Sequence, residues 1–599
     1  MPQQGVSFDG SYIYLPGAYY ADDVSAAGFT PPPTTPPLLF IGYGWGPKPK
    51  SPITFTNPQD LANALRGSPA AAFVPFMANP SPNLNGVQQV TFIDASENTQ
   101  SAAALMTSGA TTQMQFTSNL YGPPSNQMTV QVLPGSTAGL KMILFDGWSN
   151  STIVGDNLTV PLQLAYSGQA TGGVSFNVVT GAASGTFNVT SPIAGESISV
   201  PIGSGGFSTT SLLVQYLNGT GNYYAQLLSS TVGELPSLSL TAGSGALPIQ
   251  TSGGLTYVNV PAYLNDPIFW ANQFASTIVT AASGTQSADV FTSLPVTGAP
   301  TFFSGARGVP PVNNDYATAL NVGLSTPAWA VFCDSNSTAV QALLAQHCET
   351  ASSVPYGQWR RGFTGSSIGD SVSVTQTNAM NLDSIQMTYV YPGIYRTNTT
   401  TGQNQLYSGL YAAAAAAAIS AGNIIALPLT NKPLNANGVE QVNAGSPLTT
   451  SQLNTLQNSG VMAVWTPNQT GIPTFLSDVT TWQDDNNVEN TSAQQVSCRY
   501  WLAYSMVNVL QPYVGTIASP FTEINILNAV KSALNALIYT GGSSNGVLAS
   551  WVNKSLQLVY TGSQQLAAIS FQAVLVGQNK YITCFATIEP LNFTITASG

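Results

Sequence analysis

The sequence predicts a multidomain α+β protein: a mixed α/β core, an inserted all-β region, and extended arms at both ends. Three observations carry that reading. Short apolar runs alternate with helical patterns over about residues 300–485, Gly/Ser/Thr-rich alternating strands fill 110–255, and both termini alternate apolar and polar residues without a helical period. At 599 residues the chain is too long for one ordinary core. The boundaries read from these shifts are 1–30 for an N-terminal arm, 31–109 for the first part of the core and 110–255 for the insertion. An α/β domain comes next at 256–485, then a C-terminal core part with two helices and a hairpin at 486–591, and a C-terminal arm at 592–599.

Taken in order, the arm holds Tyr12, Tyr14, Tyr19 and Val24 on an extended pattern, and the prolines of 31–37 stiffen its connection to the core. Residues 38–42 form an apolar run of the kind found in buried strands, and 57–65 form a short helix with Asn57 as N-cap and Pro58 at its first position. Residues 128–133 and 173–179 are typical strands of the insertion, which is expected to face outward because an assembly tolerates insertions only away from its contacts. Farther on, 328–332 and 386–391 read as strands, 338–347 and 408–420 as helices, the latter rich in alanine and ended by Gly422. A helix at 497–511 stops at Pro512. The next, 521–539, has Ser519 as N-cap and Ile524, Leu527, Val530, Leu534 and Ile538 at helical spacing. Strands 567–576 and 581–588 are expected to pair around a turn at 577–579, before the extended tail with Asn592, Phe593 and Ile595.

Composition narrows the function. Charged residues make up 6% of the chain, against about 25% in an ordinary soluble domain, and the net charge is −11. No basic run exists to neutralise phosphates, so direct nucleic-acid binding is not expected. A charge-poor surface rich in Tyr, Phe and Trp suits a protein that meets other protein over much of its area. An extracellular or acid-adapted protein shares that composition, and few carboxylates also mean few groups whose protonation unfolds the chain. The first residues lack a basic stretch followed by an apolar one, and the longest apolar run, 410–419, is mostly alanine and too short to span a bilayer. The chain therefore reads as soluble, made in the cytoplasm and without membrane insertion.

Catalytic chemistry is not legible. His347 is the only histidine, no phosphate-cradling glycine motif occurs, and no cofactor is expected. Asp484 and Asp485 near Glu489 read as loop caps, and Arg360 with Arg361 as an interface or surface pair. The cysteines, Cys333, Cys348, Cys498 and Cys584, match no metal spacing. Free buried thiols are the first reading, with a Cys333–Cys348 bridge or an intersubunit bridge as the alternative.

Several segments, in this order, resemble the contractile tail sheath family of phages and related injection machines. Leu15-Pro16-Gly17-Ala18-Tyr19 is similar to the family's opening Pro-Gly-Val-Tyr, and Phe40-Ile41-Gly42 with Gly44-Trp45-Gly46-Pro47 to its next strand and turn. Ser408-Gly409-Leu410-Tyr411-Ala412, leading to Pro428-Leu429-Thr430-Asn431-Lys432, resembles its helix before a P-x-N segment, with alanines where the family has an arginine. Leu453-Asn454 with Gly460-Val461, Cys498-Arg499-Tyr500, and Glu589-Pro590 with one proline in place of two complete the set, which covers about residues 11–70 and 300–599.

The resemblance implies a homo-oligomer of stacked hexameric rings around a tail tube protein, with baseplate and tail terminator proteins at its ends, and contraction that drives the tube. It also implies a tube-facing helix, here 521–539, with Glu523, Lys531 and Asn535 as candidate contacts. Both arms then add strands to neighbouring subunits by backbone pairing, with the 31–37 prolines and the Pro590 junction as hinges. A secreted adhesin or surface-layer protein is the alternative from another class.

Overall fold

The structure is a computed structural model. It describes residues 37–579 apart from 107–111, 251–253, 285–293, 354–356, 399–400, 444–445, 468–469, 486, 542–545 and 562–565, together with four strand segments between residues 6 and 27. The chain is mixed α/β with many sheets.

An eight-stranded sheet organises the core, in the order Thr474–Phe475, Val461–Trp465, Met387–Tyr391, Arg361–Gly365, Ala330–Cys333, Leu38–Gly42, Val90–Asp94, Pro52–Phe55. The two edge strands are antiparallel to their neighbours and the strands between them are parallel. Parallel strands need both faces covered, which is why Leu38-Leu39-Phe40-Ile41-Gly42 is apolar without alternation and buried throughout. Leu38 and Phe40 face one layer with Phe92, Phe332 and the alanine helix Gly409–Gly422. Leu39 and Ile41 face the other, under the helices Asn313–Gly323 and Thr338–Ser352.

The alanine helix is apolar on every side because it is buried on every side. Its small residues allow a close approach to the sheet: a Cβ on Gly365 would lie 2.4 Å from the carbonyl carbon of Gly409. The long helix Ala493–Leu510 and the last helix, Pro520–Ala536, pack on the same side of the core.

The stretch read as an all-β insertion departs from that expectation by containing the helix Thr210–Gly219. Thr209 accepts from Leu212 N as its cap, while Leu213, Val214 and Leu217 are buried; a single amphipathic turn pattern among many strands is easily read as part of them. The region holds four small sheets, and one pairs Thr112–Tyr121 with Gln100–Met106 and Val279–Ser283. Two apolar clusters separate from those of the core hold this region together.

The expected strand 567–576 is split. Leu566–Ser570 pairs with Gln557–Thr561, and Ala573–Leu575 with Leu548–Trp551. The chain crosses between the two ladders at Phe571 and Gln572, where Gln572 N donates to Ser555 Oγ (2.8 Å) and Val552 N to Gln572 O (2.9 Å). The intended partner, 581–588, lies outside the described residues, as do Tyr14, Cys584, Asn592, Phe593 and Ile595.

Candidate assembly interfaces

The residues that could suggest chemistry are structural. Arg360 and Arg361 are buried, which corrects their reading as an interface or surface pair. Arg360 gathers the Gly323 carbonyl (3.1 Å), the Thr326 carbonyl (3.1 Å) and His347 Nε2 (3.0 Å). Arg361 ties its strand to the neighbouring strand and the long helix, donating to Thr388 Oγ1 (2.7 Å) and Ser497 Oγ (3.0 Å). Burial and then the Arg360 charge push His347 down to about 3, so the imidazole stays neutral through the physiological range. Asp485 accepts from Trp482 Nε1 (2.9 Å) and Asn487 N (3.0 Å) and closes a loop. Among the described residues no group of three or more His, Cys, Asp or Glu could hold a metal, and no helix is long and apolar enough to cross a membrane.

Cys333 and Cys348 are free and buried, and so is Cys498, so the bridge weighed from sequence is not formed. Cys333 ends a central strand, and burial raises its thiol pKa and pushes Cys348 up to about 12, which keeps both thiols protonated and unreactive.

The N-terminal segments pair next to themselves. Val6–Phe8 joins Ser11–Ile13, placing Tyr12 opposite Ser7, and Tyr19–Asp22 joins Val24–Ala27, placing Tyr19 opposite Ala27 and Val24 opposite Asp22. An arm without a partner in its own chain is the expectation from sequence; local hairpins satisfy one edge of each strand instead. Among the described residues no third strand joins either hairpin, and the outer edge of such a ladder can accept another chain. The C-terminal ladders Leu548–Trp551 with Ala573–Leu575 and Gln557–Thr561 with Leu566–Ser570 are also two-stranded, and in the first Leu548 is bridged on its other side to Ile538.

On the last helix, Ser519 caps as expected by accepting from Thr522 N, and Glu523, Lys531 and Asn535 are all exposed. Val530 and Leu534 of the expected stripe are buried, but Ile526 joins them in place of Ile524, and Leu527 is only half-buried. An apolar group at the start of this helix and just before it faces outward: Ile517 is 85% exposed, Phe521 74% and Ile524 56%. Asn535 accepts from Trp551 Nε1 at 2.9 Å and so links this helix to the ladder beside it.

The β-rich region is fastened to the core at residues 44–67. Arg66 grips Asp146 through two parallel bonds of 2.9 and 2.6 Å, both side chains nearly buried. Burial pushes the Asp146 carboxyl up, but the Arg66 bonds and charge outweigh it and hold the pKa below the ordinary value. Gly46 and Tyr121 exchange backbone bonds of 2.8 and 3.1 Å, at a place where a side chain would lie 2.3 Å from the Ala64 carbonyl oxygen. Asp94, at the end of a core strand, takes Gly44 N (3.1 Å) and Asn98 Nδ2 (3.1 Å), and burial raises it to about 6.

No family model matches the chain. It is 26% identical to the tail sheath protein of Bacillus phage SP01 over 511 residues, covering 83% of this chain and 82% of that one. Two crystal structures, of sheath tail proteins from Desulfitobacterium hafniense and Listeria innocua, align with TM-scores of 0.49 and 0.48 at 10% identity. The first covers 92% of this chain and 99% of its own, the second 90% and 95%.

Proposed function

We propose, from the premise that this chain resembles the contractile tail sheath family along most of its length, that it is the repeating subunit of a contractile sleeve. It is a structural protein and not an enzyme. Stacked hexameric rings of it surround a tail tube, are bounded by baseplate and terminator proteins, and shorten to drive the tube through a host envelope for genome delivery. Assembly takes place in the host cytoplasm and the product is part of the virion tail.

The observation that carries the reading is the sequence similarity to a phage tail sheath protein across most of both chains. Two ladders with no third strand among the described residues, Tyr19–Asp22 with Val24–Ala27 and Gln557–Thr561 with Leu566–Ser570, support strand exchange between subunits, since each net backbone bond contributes about 0.5–1.5 kcal/mol and needs no charged pair. The exposed Ile517, Phe521 and Ile524, with Glu523 and Lys531 on the same helix, support a largely apolar tube contact.

Electron microscopy of the purified chain tests this. Tubes or rings of six-fold symmetry are expected. Flat two-dimensional sheets favour a surface-layer protein, and monomers at every concentration overturn both readings.

A further inference from the structure

A cavity of about 260 Å³ opens between residues 67–76 and the hairpin of Ile394–Thr397 with Asn404–Tyr407, and the assembly reading makes no use of it. Ala71, Ala72, Pro75, Phe76 and Tyr407 give it a small and aromatic wall, Arg396 gives it a charge, and no Asp or Glu lines it. Arg396 is held from one side only. Its Nη2 donates to the carbonyls of Pro75 and Asn79, both at 3.1 Å, and its guanidinium carbon lies 4.6 Å from the centre of the Phe76 ring. Among the described residues Nη1 and Nε make no hydrogen bond, and no carboxylate pairs with the group.

Among the described residues this half-buried cation beside an apolar wall has no counterion. Arg360 and Arg361 are also buried without a carboxylate, but they sit inside the core, whereas Arg396 faces an open cavity with part of its donors unused among the described residues. One guanidinium with part of its donors free matches a singly charged carboxylate. A phosphate gathers several cations or a row of backbone amides, which this cavity does not offer.

We propose that this cavity binds a carboxylate on a short apolar body, the carboxylate against Arg396 and the body against Phe76 and Tyr407. The source is either a small free acid or a terminal or side-chain carboxylate of a neighbouring protein chain.

The probe is N-acetyl-leucine, with N-acetyl-leucinamide as the uncharged twin, followed by titration calorimetry and thermal shift on the full chain. The acid is expected to bind saturably and raise the melting temperature while the amide does neither. Arg396→Gln is expected to weaken binding about tenfold or more. Because that variant also loses two carbonyl contacts, Ala72→Leu, which narrows the cavity and leaves Arg396 in place, is the second variant and is expected to abolish binding. Equal responses to acid and amide, or unchanged binding in both variants, overturn the proposal and leave Arg396 as a cap on the carbonyls of Pro75 and Asn79. Binding that disappears on assembly assigns the cavity to a neighbouring chain; binding that persists assigns it to a free acid.

Discussion

The core sheet buries arginines as well as acids, whereas in the β-rich region the buried charges among the described residues are acids alone. In the core, Arg360 and Arg361 collect carbonyl and hydroxyl oxygens under covering helices. In the β-rich region the buried charges are acids. Glu196 accepts from Tyr166, Ser191 Oγ and Gln169 N, while Asp266 accepts from Thr159 N (2.9 Å), Ser229 Oγ (2.9 Å) and Thr231 Oγ1 (3.2 Å). An arginine stays ionised when buried, so the polar contacts it organises keep their strength across pH. An aspartate titrates when buried, and the region built around it inherits that titration. Both regions should therefore answer to pH through their raised aspartates, the core partly around arginines that do not titrate, and a buried ion pair joins them.

Breaking the joint has the largest expected effect. Arg66→Ala leaves the Asp146 carboxylate buried without its partner, at a cost of about 3 kcal/mol. Calorimetry should show the β-rich region melting ahead of the core; a single unshifted transition would mean the regions are coupled elsewhere. Next comes volume. Gly365→Ala places a methyl 2.4 Å from the backbone of Gly409, and the fully buried alanine helix must shift, costing about 2–3 kcal/mol in chemical denaturation. A comparable Gly→Ala change at Gly172, where a side chain meets nothing within 4 Å, should cost less than about 0.5 kcal/mol.

The pH response is of similar or smaller size. Burial pushes Asp266 up to about 7 from its ordinary 3.8, so between those values the folded chain holds a proton that the unfolded chain has released. The resulting stability is complete below the ordinary value and is lost as pH rises through 7. Denaturation at pH 5 and pH 8 should differ by about 2 kcal/mol in the transition of the β-rich region, and Asp266→Asn should flatten that difference. Asp94 and Asp334, each raised to about 6 by burial, give the core a slope of the same sign that Asp266→Asn leaves untouched. The smallest effect on stability belongs to Phe521→Ser on the last helix. Its side chain is 74% exposed, so the melting temperature should hold within about a degree while ring or tube formation in micrographs is impaired.

Much of this was legible in the residues. The unbroken apolar run at Leu38–Gly42, the cap at Asn57, the alanine helix closing near Gly422 and the Ser519 cap all form where their local chemistry points. Legibility failed where the partner decides. The run 567–576 has the composition of one strand, but its ladder changes at Phe571–Gln572 because its partners are two short upstream strands. The last helix keeps Val530 and Leu534 of its expected stripe but buries Ile526 in place of Ile524, because several faces of that helix carry apolar residues and only the packing surface selects one. No local signal separates Arg360 and Arg361 from a surface pair; their burial follows from the carbonyls and hydroxyls that converge on them.

The sequence by itself determined the periods, the caps, the scarcity of charge and the class of partner that such scarcity suits, because each depends on residues close along the chain or on composition. Tertiary structure alone decided which apolar residues of the last helix stay exposed, which acids are raised by burial, and how the β-rich region is fastened at Arg66 and Gly46. The reason is physical: burial and pairing are properties of segments brought together from far apart in the chain, and they exist only once the backbone has closed around them.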